Sequence, residues 1–111
     1  LVAELQAQQL KAHAHCVDLS DPDSSTAWAH WIQAQWGQVD GLVNCAALAT
    51  GVGGKNLEEY CPDLWDKVMT VNVKGTWLMT KALVPFLKQA KHGSIVNVAS
   101  DTALWGAKGQ F

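Results

Sequence analysis

Three short apolar runs, each carrying a polar residue towards its C-terminal end, are separated by long stretches with helical spacing. They are "LKAHAHCVDL" (10–19), "VDGLVNCAALA" (39–49) and "SIVNVAS" (94–100). Strands joined through crossovers of a dozen or more residues run parallel, because each crossover returns the chain to the same end of the sheet. The order helix, strand, helix, strand, helix, strand therefore predicts an α/β fold with a parallel sheet. Such a sheet collects the C-terminal ends of its strands along one edge, where ligands bind. Asp18, Asn44, Cys45 and Ser100 all fall at such ends. Two readings stay open: these groups line a cleft for a nucleotide and a substrate, or strand ends are polar because loops begin there.

The helices carry their own punctuation. In "LVAELQAQ", Leu1, Val2 and Leu5 have helical spacing. Asp21 suits an N-cap, Pro22 the first helical position, and Asp23 the positive helix end. Trp28, Trp31, Ile32 and Trp36 form the apolar stripe of that helix, and Gly37 its C-terminal cap. From Pro62 to His92 runs a long helical stretch, a short helix followed by a long one. Trp65, Val68, Asn72, Gly75, Met79, Leu83 and Phe86 share one face of it. Pro85 removes the bond to the Lys81 carbonyl and kinks the helix near its end.

Composition narrows the function classes. With 49% hydrophobic and 16% charged residues, the 111-residue chain is globular, one small domain. Its eight basic residues are all scattered lysines under a net charge of −2, so no nucleic-acid partner is expected. Its apolar runs are too short to span a membrane. Three cysteines, Cys16, Cys45 and Cys61, lack disulfide or metal spacing and fit a reducing cytoplasm. In "HAHC", alternation puts His13 and His15 on one face and Cys16 on the other, so no metal site is expected. "TGVGGK" fails the phosphate-loop pattern, which needs Gly where Ala49 stands and Ser or Thr where Asn56 stands. The chain begins inside a helix at Leu1, without a cap, and residues 1–111 are expected to form a domain truncated at both ends.

Asn72 is a polar amide on an apolar stripe. A buried amide without partners costs about 1–3 kcal/mol. Asn72 therefore either bonds nearby backbone or opens the helix and holds a water near the strand ends.

"VDLSD", "VDGLVNCAA", "VMTVNVKGTW" and "GSIVNVAS", in this order and at these separations, resemble the short-chain dehydrogenase/reductase family over essentially the whole chain. The resemblance implies a doubly wound parallel-sheet Rossmann fold binding NAD or NADP. It implies hydride transfer between nicotinamide and an alcohol or ketone, the small-molecule substrate. It places Asp18 and Leu19 at the adenine ring, and Asn44, Cys45 and Ala46, with Ala47, beneath the adenosine ribose. Cys45 and Ala47 depart from the family's Asn-Asn-Ala-Gly. Val71 corresponds to a position packed near the cofactor, Asn72 to the asparagine anchoring a relay water, and Ser100 to the serine that bonds the substrate oxygen.

The family's tyrosine general acid/base lies about a dozen residues beyond that serine, with a lysine four residues later. Tyr60, the single tyrosine here, precedes Ser100 and has Leu64 four residues on. The family's sheet order, 3-2-1-4-5, makes the three runs its third, fourth and fifth strands, with the two central ones absent. "LKAHAHCVDL" then lacks a neighbour, and the 111-residue chain alone is expected to be inactive and to lack a stable native-like fold. Leu104 and Trp105 are candidate walls of a substrate pocket. A homo-oligomer, pairing through the helix of Asn72, is expected of the intact protein. The alternative is a non-catalytic dinucleotide-fold binder or decayed gene product.

Overall fold

The computed structural model describes residues 1–105; the end of the loop after Ser100, 106–111, lies outside the described residues. Helix α1 (Val2–Ala7) is followed by an extended segment, then α2 (Pro22–Trp36) and strand β1 (Gly41–Asn44). A loop and a 3₁₀ turn lead to α3 (Pro62–Met69), a π-helical turn (Thr70–Gly75), α4 (Thr76–Leu87) and strand β2 (Ser94–Asn97). β1 and β2 pair in parallel, with Gly41 opposite Ser94 and Asn44 opposite Asn97.

The caps form as the sequence dictates. The Asp21 carboxylate accepts from the Asp23 backbone N–H at 2.9 Å, Pro22 opens α2, and Gly37 closes it at φ +70°. That left-handed angle favours glycine. The long helical stretch also forms, and Pro85 sits two residues before the end of α4.

Three expectations are corrected. Residues 10–18 form no strand: a strand is defined by its ladder, and no described strand lies beside this segment to supply one. β2 is exposed along its whole length rather than buried. α4 packs on one face of the β1–β2 pair, and Val43, Val96 and Val98 stand 64%, 53% and 57% exposed. The buried face of α2 is Ser25, Ala29 and Ile32; Trp28 and Trp31 are half-buried beside it and Trp36 is exposed.

The core is narrow. Ala29 and Ile32 of α2 meet Met79, Leu83 and Leu87 of α4, with Val39 and Leu42 at the start of β1. Val17, Leu19, Trp28, Trp31 and Phe86 close its margin. His15 stacks on Trp31, ring centroids 4.9 Å apart, which holds the extended segment over α2 without a ladder. Among the described residues, no helix is long and apolar enough to cross a membrane.

Candidate functional site

The parallel pairing fixes which end of the sheet is chemically rich. Asn44 and Asn97 close β1 and β2 at the same register, and the Val98 N–H bonds the Asn44 carbonyl at 2.9 Å. The Asn44 amide nitrogen donates to Asn97 Oδ1 at 2.8 Å and to Thr80 Oγ1 of α4 at 3.2 Å. These three polar groups lock the strand ends to each other and to the helix beneath. The Asn44 amide hydrogens are thereby committed within the protein, so a ligand crossing this strand end meets the backbone after Asn44.

Beyond it opens a cleft of about 260 Å³, whose walls include Leu19, Asn44, Cys45, Ala46, Thr76 and Met79. Four of the candidate cofactor residues thus line one cleft, although Leu19 and Asn44 are twenty-five positions apart and separated by α2. Cys45, Ala46 and Ala47 are exposed, and Leu19 is half-buried. Val71, half-buried in the π turn, is not among the lining residues.

Asp18 sits at the start of the turn before α2 and is exposed. Its carboxylate accepts from the Ser20 hydroxyl at 2.6 Å and the Ser20 N–H at 2.8 Å. The hydroxyl bond, and after it the backbone bond, hold the carboxyl below its ordinary value of 3.8. The Asp18 N–H in turn donates to Ser24 Oγ at 2.9 Å. Asp18 is therefore oriented and ionised at neutral pH.

Asn72 resolves one of the open readings. Its Oδ1 accepts from the Leu48 N–H at 2.7 Å, and its Nδ2 donates to the Leu48 carbonyl at 3.1 Å. The carboxamide is a backbone clamp on the segment leaving β1. Asn72 also lies in the π turn, and its own carbonyl accepts from the Thr76 hydroxyl at 2.9 Å. A wide turn loosens the helical ladder, and π turns concentrate at functional sites.

Ser100 lies three residues past β2, at the same edge of the sheet as Leu48. Its hydroxyl accepts from the Thr102 N–H at 3.3 Å and lies 2.8 Å from Thr102 Oγ1, capping a 3₁₀ turn. It is exposed and outside the lining of the cleft. Leu104 and Trp105 are 76% and 70% exposed, so they wall nothing among the described residues. The Tyr60 hydroxyl donates to the Val52 carbonyl and closes the loop after β1. No group of three or more His, Cys, Asp or Glu among the described residues could hold a metal ion.

The sequence marks Asn97 and Ser100 as the polar groups that the third run delivers, but not the pairing of Asn97 with Asn44, nor Thr80, Leu48 and Thr76. A signal for that pairing is present: "GLVN" and "SIVN" close both strands on the same residue type. Leu48 acts through its backbone, which leaves no mark on a side-chain pattern.

Comparison with known proteins supplies the frame for this edge. A sequence model described as short chain dehydrogenase matches residues 1–111. The chain is 36% identical to a short chain dehydrogenase of Pseudocercospora fijiensis (strain CIRAD86), covering 95% of this chain and 34% of the relative. It is 33% identical to the cyclopentanol dehydrogenase of Comamonas sp. (strain NCIMB 9872), covering 97% of this chain and 42% of that enzyme. A metagenomic short-chain oxidoreductase solved in complex with NADP superposes with a TM-score of 0.80 at 35% identity. That match covers 89% of this chain and 44% of the other. The chain thus spans well under half the length of these proteins, yet its sequence matches the family model from one end to the other. It belongs to the short chain dehydrogenase family.

Proposed function

We propose that residues 1–111 are the central part of an NAD(P)-dependent oxidoreductase that moves hydride between nicotinamide and the carbon of an alcohol or ketone. One observation carries this reading: Leu19, Asn44, Cys45 and Ala46 meet in a single cleft, and Asn72 clamps the segment that leaves β1 beside it. The residues present fit the adenosine half of a dinucleotide. The cleft has apolar walls for a ring, the backbone after Asn44 is accessible, and the Asp18 carboxylate stands ionised and aimed by Ser20. NADP in the solved relative supports the same cofactor class here. When bound, the cofactor supplies the hydride donor or acceptor. Asp18 and Leu19 hold its adenine, and Asn44 to Ala46 pass beneath its ribose. Val71 packs near the cofactor from the π turn.

Ser100 polarises the substrate oxygen as charge develops there, which requires its hydroxyl to turn from Thr102 to the substrate. The Asn72 carbonyl holds a relay water. The proton itself comes from groups outside this segment. The exposed Met69, Val73 and Trp77 of the π turn and its flanks offer an apolar strip through which two copies of the intact protein pair. The free thiols Cys16, Cys45 and Cys61 suit a cytoplasmic enzyme.

The test is made on the full-length protein that carries this chain. Fluorescence titration with reduced nicotinamides should show saturable binding, and turnover should follow with secondary alcohols or ketones. Ser100→Ala should lower kcat by about 10²–10³-fold with cofactor affinity unchanged. Binding without turnover of any alcohol or carbonyl compound selects the second reading, a non-catalytic binder, which Cys45 and Ala47 favour by their departure from the family pattern. No binding at all removes both.

A further inference from the structure

A close backbone contact joins the two halves of the cleft. A Cβ built on Gly75 would lie 2.8 Å from the Leu19 carbonyl oxygen and 2.9 Å from Leu19 Cβ. Side chains in folded proteins do not approach so closely, and the obstacle is backbone, which cannot swing aside as a flexible side chain does. Gly75 ends the π turn, is buried, and immediately precedes Thr76, itself a wall of the cleft. The opposite partner is a tightly tied turn: the Asp18 carbonyl accepts from the Asp21 N–H at 3.2 Å, and the Asp18 N–H bonds Ser24 Oγ at 2.9 Å. A push on Leu19 is therefore passed to Asp18 rather than absorbed beside it.

Asn72 adds the other arm. Three residues before Gly75, its carboxamide grips Leu48 on the segment leaving β1. The π turn thus touches both the segment leaving β1 and the turn after residues 10–18, one through an amide and the other through the bare face of a glycine. Residues 10–18 have no ladder to fix their register, so this contact, with the packing of Val17, Leu19 and the Trp31–His15 stack, sets where Asp18 stands.

We propose that Gly75 is a positioning residue for the nucleotide: it seats Leu19 and thereby fixes Asp18 and Leu19 against the adenosine end of the cofactor. The proposal rests on the oxidoreductase reading above. Gly75→Ala in the full-length protein should raise the KM for NAD or NADP about tenfold, with kcat within about twofold of wild type. Affinity for AMP should fall in parallel, and affinity for nicotinamide mononucleotide should not change. A contact that served stability alone would lower the folded fraction and reduce binding of both half-molecules in proportion. That result, or an unchanged KM, overturns the proposal.

Should the variant fail to fold, hydrogen exchange on the wild-type protein decides. Adding the dinucleotide should slow exchange at residues 18–20 and 70–76 together, and protection of 18–20 alone overturns it. Wild-type protein that binds neither NAD nor NADP removes the oxidoreductase reading itself, and the Gly75 role with it, which distinguishes the two failures.

Discussion

Asp18 shows how a single exposed carboxylate is given a direction. Free carboxylates at a surface rotate; this one is held by two bonds from Ser20. Both bonds favour the ionised form, so its folded pKa lies below its unfolded one. The sign of the linkage follows. The turn is fully supported above the ordinary value of 3.8 and loses that support as pH falls through the depressed folded value. Ser20→Ala deletes the larger cause and keeps the backbone bond, so the Asp18 pKa should move part of the way up towards 3.8. Carbon-detected NMR titration of the carboxyl measures it; an unmoved value refutes the role of the hydroxyl. The sequence placed Asp18 at a strand end, but the partner that orients it lies two residues on and was legible only as part of a generic turn.

The π turn is the element that organises the site. A continuous α-helix over 62–87 would keep Asn72 in the regular 3.6-residue phase; the wide turn shifts the phase between α3 and α4. Within the turn Asn72 reaches Leu48 with both ends of its amide. Asn72→Ala leaves a part-buried N–H and C=O of Leu48 without their partners. In the full-length protein this should cost about 1–3 kcal/mol, read as a lower denaturation midpoint with an unchanged slope. Equal stability would mean that water replaces the amide and that the clamp is dispensable. The apolar stripe announced a long helical stretch and marked Asn72 as out of place. It did not announce the turn, because helix-period spacing tolerates one extra residue and the hydrogen bonds that define the turn belong to the backbone.

At the scale of the whole molecule, the surface is too large for the mass. The accessible area is 8306 Å² for 12.0 kDa, against roughly 6,000 Å² for a compact monomer of that size. The radius of gyration, 16.8 Å, exceeds the roughly 13 Å expected for this length. Among the described residues the fold is open at α1, which buries no residue, at the bare face of β1 and β2, and in the trench between β1 and residues 13–15. Among the described residues, eight buried hydrophobic ones are a thin core against the entropy of ordering the chain. The 111-residue polypeptide alone should therefore melt without a cooperative transition by circular dichroism. A sharp, reversible melt would show that the α2–α4 core suffices.

What the sequence determined by itself was local or periodic: the helices, the second and third runs as strands, the Asp21 and Gly37 caps, the parallel direction of those strands, and the family, since motif order survives without any coordinate. Tertiary structure alone decided the rest. It left residues 10–18 without a ladder, turned Asn44 inward to Asn97 and Thr80, and brought Gly75 against Leu19 across more than fifty positions of chain. The reason is physical. Period and propensity act over a few residues, whereas a ladder, an amide clamp or a bare-backbone contact exists only between partners that folding brings together.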